Sequence, residues 1–137
     1  MPLITESWVT LDLVRAHPDK VFLFGDNNQR RGKKGQAVIR DEPNTLGVRT
    51  KWLPKETPEA YFSDDQYDAV CEIVDADLAV VEELLRRGVT VVMPEAGLGT
   101  GLAQFDTRAP HAFAYFIEKL IHLSNIDTND VLTKQDA

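Results

Sequence analysis

Two stretches of this chain are apolar or β-branched throughout and then run into glycine. Val21-Phe22-Leu23-Phe24 leads into Gly25, and Val89 to Met93 leads into Pro94 and the run Glu95-Ala96-Gly97-Leu98-Gly99-Thr100-Gly101. A strand with one wet face alternates apolar and polar residues. One that does not alternate needs cover on both faces. Helices between such strands supply that cover. The expected fold is therefore α/β: a compact three-layer domain with a mostly parallel sheet. In such sheets ligands bind outside the carboxyl ends of the strands. Both glycine-rich loops leave a strand at that end, which places them in one site.

The intervening sequence fits this plan. Residues 3–9 read as an edge strand or an arm. Thr10 caps a short helix through Leu11, Leu13, Val14 and His17, with Asp12 in its first turn and Pro18 stopping it. Residues 25–34 read as the first loop, with Gly25 ending the strand. Gly35 to Glu42 read as a short helix and Val48 to Trp52 as a strand. Ser63 or Asp64 caps a long helix whose Tyr67, Val70, Cys71, Val74, Leu78, Val81 and Leu85 form one apolar stripe. Cys71 on that stripe reads as a core thiol. Arg86, Arg87 and Gly88 suit the end of that helix. Pro110 opens the last helix, where Phe113, Phe116, Ile117, Leu120 and Ile121 are expected to face inward and His122 to be structural. One domain over residues 1–124 and a polar tail over residues 125–137 are expected.

Composition narrows the function. At 137 residues and 43% apolar, the chain can bury a full core in one domain. Its net charge of −7 makes nucleic acid an unlikely main partner. A single cysteine excludes an internal disulfide framework. No stretch is long and apolar enough to cross a membrane, so none is expected as a partner. The first residues, Met-Pro-Leu-Ile-Thr-Glu, do not read as a signal peptide, and a cytosolic protein is expected. His17, His111 and His122 are dispersed and imply no metal, and no cofactor is expected.

The loops hold the candidate chemistry. Asp26 can accept from a ribose hydroxyl or an exocyclic amine, and Asn27 can donate and accept at once; the alternative is that both only form an Asx turn. Gly32 and Gly35 allow the backbone to approach a ligand closely. Gly97, Gly99 and Gly101 leave room for a bulky anion such as a diphosphate. Glu95 stands close to a strand end and could orient a water. Arg30, Arg31, Lys33 and Lys34 form the best local basic patch.

The segment Phe22 to Asp41 resembles the ligand-binding segment of macrodomains, in which a strand, an Asn-Ala-Ala-Asn motif and a glycine run precede a helix. Asn27 stands where that motif has its last asparagine, and Gly32-Lys33-Lys34-Gly35 where it has the glycine run, two lysines replacing glycines. Val91 to Tyr115 resembles the family's second loop, with Pro94, Gly97 and Gly99 matching. The likeness spans roughly residues 20–122. The chain resembles more closely a group of small phage and bacterial proteins of unassigned function. Their pattern appears here as Gly25-Asp26-Asn27, Arg30-Arg31-Gly32, Gly35-Gln36-Ala37, Pro43-Asn44, Gly47 and Thr50-Lys51.

The macrodomain resemblance implies binding of ADP-ribose or a related diphosphate nucleotide, with Asn27 at the distal ribose. The expected binding set is Gly25, Arg31, Gly32, Lys33, Gly35, Gln36, Asn44, Lys51, Pro94, Gly97, Gly99, Thr100 and Gly101. If the chain hydrolyses its ligand, Asn27, Asp26 and Glu95 are the candidate catalytic residues, with Asp26 or Glu95 placing a water. A nucleotide sponge or sensor would use the same pocket without a base. An acidic protein that inhibits a host partner through its surface is the third reading.

Overall fold

In the computed structural model, residues 3–95 and 97–126 are described; Ala96 and most of the expected tail lie outside them. Four strands, β1 (Leu3–Glu6), β2 (Val21–Asn27), β3 (Thr45–Lys51) and β4 (Val91–Pro94), form one sheet in the order β1-β4-β2-β3. All three pairings are parallel. Four α-helices, α1 (Leu11–Ala16), α2 (Tyr67–Arg86), α3 (Phe105–Arg108) and α4 (Pro110–Ser124), accompany a 3₁₀ turn over Gly35–Ile39.

The unbroken apolar character of β2 has the cause expected of it. Leu23 packs with Val70, Val74 and Leu78 of α2 and Phe116 of α4 on one side. Phe22 and Phe24 pack with Val14 of α1 and Ile39 of the 3₁₀ turn on the other. The sheet is the middle of three layers, each face removed from water. Burying an aliphatic or aromatic side chain in this way contributes roughly 1.5–3 kcal/mol.

Local signals fix several element ends. Thr10 accepts the Leu13 N–H at 3.1 Å and caps α1, as its sequence suggests. Gly88, just past α2, adopts φ +81°, which suits glycine. Other boundaries differ from expectation. Gly25 does not end β2; the strand continues through Asp26 and Asn27, which pair with β3 across a register shift. β3 begins at Thr45, three residues earlier than its apolar content indicates. Asp64 does not simply cap the long helix. Its carboxylate accepts the His111 and Ala112 N–H groups at 3.1 and 3.0 Å and so caps α4.

Four burial expectations are corrected. Tyr67, placed on the apolar stripe of α2, is exposed. Ile121 is exposed, and Ala112 and Leu123 take inward positions on α4 beside Phe116 and Leu120. His122, expected to be structural, is exposed and has Glu82 of α2 at 4.0 Å. Cys71 is half-buried, and partial desolvation raises its thiol pKa above the usual value.

Candidate functional site

The cavity arises from topology. After β2 the chain turns toward the layer of α1 and Ile39; after β4 it turns toward the layer of α4. β2 and β4 are neighbours whose connections leave to opposite faces, which makes a switch point. They pair only at Val21↔Val91 and Phe22↔Val92. Beyond that register their carboxyl ends have no ladder between them, and a cavity of ≈ 490 Å³ opens there. Such a volume is within the range of small-molecule sites.

Most of the expected set meets at this cavity. Gly25, Asp26, Asn27, Arg31, Gly32, Gly35, Gln36, Lys51, Pro94, Gly97, Gly99, Thr100 and Gly101 all line it. The two loops touch: a Cβ on Gly35 would lie 3.6 Å from Leu102. Lys33, Asn44 and Glu95 do not line it. Lys33 pairs with Asp41. Asn44 precedes β3, at the end of the sheet away from the cavity. Its amide donates to the Val14, His17 and Lys20 carbonyls at 3.0, 3.0 and 3.2 Å, satisfying the end of α1. Glu95 is exposed, and its N–H donates to the Glu6 carbonyl at 2.7 Å, extending the β1–β4 ladder.

Asp26 is buried under the cavity and fully engaged. Its Oδ1 accepts from Arg40 Nη2 at 2.6 Å and the Asn27 N–H at 2.8 Å. Its Oδ2 accepts from Arg40 Nη1 and Arg30 Nη1, each at 3.1 Å. These four bonds fill the usual acceptor capacity of a carboxylate. Arg30 also reaches Asp77 on α2 at 3.2 Å, and Asp77 is held by Arg49 at 2.7 Å. Arg40, Asp26, Arg30, Asp77 and Arg49 thus form one alternating ladder from the cavity floor to α2. The hydrogen bond to Asp77 keeps the Arg49 guanidinium charged to even higher pH than usual.

Asn27 forms the Asx turn weighed from its sequence. Its Nδ2 donates to the Arg31 carbonyl at 2.6 Å and its Oδ1 accepts the Gln29 N–H at 3.0 Å. Gln36 likewise uses its amide on backbone: Oε1 accepts the Val9 N–H at 3.2 Å and Nε2 donates to the Val9 carbonyl at 3.4 Å. Both residues therefore shape the cavity wall.

The second loop divides by function. Gly97, Gly99 and Gly101 all have positive φ, at +91°, +86° and +63°. A Cβ on Gly97 or Gly101 would meet nothing within 4 Å, whereas one on Gly99 would come within 3.0 Å of Phe105. Gly99 is needed for close packing on Phe105, so a side chain there would enter the core and not the space proposed for a phosphate.

Charge distinguishes the cavity from the rest of the chain. Five of its lining side chains are cationic (Arg31, Lys34, Arg40, Lys51 and Lys55) and two are acidic (Asp26 and Glu56), a surplus of three positive charges. The whole chain carries −7. Lys51 is bonded to the Lys55 carbonyl at 2.6 Å and sits 4.5 Å above the Tyr61 ring. Desolvation, with the nearby charges of Lys34 and Arg108, lowers its pKa. A cation held under these conditions gains from any anion entering beside it.

Trp8, Arg40 and Asp77 also serve the site, although none stands in the glycine-rich loops. Asp77 had a signal: it falls in phase with Val74, Leu78 and Val81 on the buried stripe of α2, where a carboxylate requires a partner. Trp8 follows β1 at the same carboxyl edge as the two loops. Arg40 carried no local signal, because its partner is set by tertiary packing.

The structure defines a compact α/β domain with an all-parallel four-stranded sheet and a cationic cavity at its switch point. The chain belongs to the family described as Family of unknown function (DUF7831), which matches residues 4–119. No curated protein and no solved structure matches it. Among the described residues no helix is long and apolar enough to cross a membrane, and no cluster of three or more His, Cys, Asp or Glu side chains could hold a metal ion.

Proposed function

We propose that this chain binds an ADP-ribose-type or other diphosphate nucleotide in the switch-point cavity, as a sponge or sensor. The carrying observation is the surplus of positive charge in the cavity of an acidic chain. Unlike charges at a surface, cations gathered on a partly desolvated wall repel one another, and an anionic ligand relieves that repulsion. The positive-φ glycines of the second loop line the cavity, and Gly97 and Gly101 leave open space where a side chain would stand, room for a diphosphate. The resemblance of Phe22 to Asp41 and Val91 to Tyr115 to macrodomains supports the same ligand class.

Binding is favoured over hydrolysis by the state of the candidate bases. A general base needs a free lone pair near the substrate. Asp26 has none to spare, and Glu95 is outside the cavity wall. Glu56 is well exposed at the rim and pairs with Lys34 at 3.8 Å.

Thermal denaturation with a panel of diphosphate nucleotides tests the reading. A ligand at 100 times its dissociation constant stabilises the folded state by about 2.7 kcal/mol, a clear rise in melting temperature. ADP-ribose or a close relative is expected to give that rise and to be recovered unchanged after incubation. If no nucleotide in the panel moves the transition, the cavity has been assigned the wrong ligand class. If the ligand is recovered cleaved, the chain is a hydrolase.

A further inference from the structure

The cavity is not uniform along its length. Its wall follows the sheet from the segment after β1 to the loop after β3, and strands ~4.8 Å apart make that span roughly 14 Å. At the β3 end stand Lys51 and Lys55, with Lys34 drawn toward Glu56 of the same loop. At the β1 end stands Trp8, while Leu102 of the loop after β4 approaches Gly35, next to the Gln36 that holds Val9. Trp8 and Leu102 are 58% and 59% exposed; of the large apolar side chains this exposed among the described residues, they are the ones that line the cavity, Ile121 lying on α4 away from it. Trp8 makes no hydrogen bond or ring contact with another described residue. Its main chain is nevertheless fixed, because Gln36 clamps the Val9 N–H and carbonyl. An indole on a cavity rim, with a free face and its neighbouring main chain anchored, offers a stacking platform.

Resting on the reading of the cavity as a nucleotide site, we propose that Trp8 is its specificity-determining residue. It takes the planar ring of the ligand at the β1 end, while Lys51 takes an anionic group at the β3 end. The two ends have opposite chemistry, so the ligand enters in one orientation. An inorganic polyphosphate can satisfy the Lys51 end only. A nucleotide satisfies both.

Calorimetry on the full chain with two probes, ADP-ribose and inorganic tripolyphosphate, tests this. Trp8→Ala is expected to weaken ADP-ribose binding about tenfold or more while leaving tripolyphosphate within about twofold. Trp8→Phe, which keeps an aromatic face, is expected to stay within a few-fold for both. Lys51→Gln is expected to weaken both probes about tenfold. ADP-ribose, and not tripolyphosphate, should quench tryptophan emission, and that quench should vanish in Trp8→Phe although Trp52 remains. If both probes bind the wild type but Trp8→Ala weakens them equally or not at all, or the quench persists in Trp8→Phe, Trp8 is not the platform and the site reading survives. If the wild type takes up no nucleotide, the site reading fails, and this inference fails with it.

Discussion

Asp26→Ala is expected to destabilise the domain by about 3–5 kcal/mol, because removing one member of a buried ion pair leaves its partners charged and uncompensated. Asp26 is 4% exposed and accepts from two guanidinium groups. Arg40 is nearly buried and packs 5.1 Å from the Phe24 ring, so it cannot swing freely into water. Arg30 has a side chain 43% exposed and can rehydrate in part, which argues for the lower half of the range. Domains of this kind are stable by only about 5–15 kcal/mol, so the variant should unfold at a much lower urea concentration. A double change that also replaces Arg40 with Met should recover part of the loss, since the unpaired cation is then gone. A loss below about 1 kcal/mol for Asp26→Ala would mean that the ladder contributes little and that Asp26 is spare for other chemistry. Gly47 belongs to the same arrangement. A Cβ there would collide with the Asp26 carboxylate, so Gly47 gives the ladder its space.

Phe105→Ala is expected to cost a similar ~3–5 kcal/mol, the usual range for deleting a buried aromatic ring. Phe105 is fully buried and lies 5.2 Å from Phe62, 5.2 Å from Phe113 and 5.6 Å from Phe116, centroid to centroid. It is also the surface on which Gly99 rests, and its N–H donates to the Gly99 carbonyl at 2.8 Å. The second glycine loop is therefore held from below by the aromatic core. The variant should lose ligand affinity as well as stability, although Phe105 is not among the cavity-lining residues. Equilibrium denaturation and ligand titration of the same sample separate the two effects. Wild-type affinity in a strongly destabilised variant would show that the loop keeps its shape without this support.

Much of the architecture follows from local pattern. The unbroken apolar character of Val21–Phe24 predicts a strand covered on both faces, and Leu23 and Phe24 do join opposite layers. The 3–4 spacing of Val70, Val74, Leu78 and Val81 predicts the buried side of α2. Gathering two loops at one edge follows from the rule that parallel strands end together. The misses concern pairings over long separations. Asn44 looks like a turn residue after a proline, yet it serves carbonyls 24 to 30 residues earlier. Asp26 looks like an open acid at a strand mouth. Its engagement becomes visible only when Arg40 and Arg30 converge on it. Glu95 adjoins a strand end in sequence, but a residue just past a strand can face either side. Its backbone continues the ladder to Glu6 while its side chain stays out of the cavity wall. Gly97, Gly99 and Gly101 look equivalent in sequence. Only the direction of the absent Cβ separates the two facing open space from the one pressed against Phe105.

The most direct measurement of the central claim is a crystal structure of the full chain grown with ADP-ribose at saturating concentration. The expected result is ligand density in the switch-point cavity, with the diphosphate against the Gly97–Gly101 loop, one end reaching Lys51 and the adenine on Trp8. An empty cavity at saturating ligand, or ADP-ribose bound elsewhere on the surface, would contradict it.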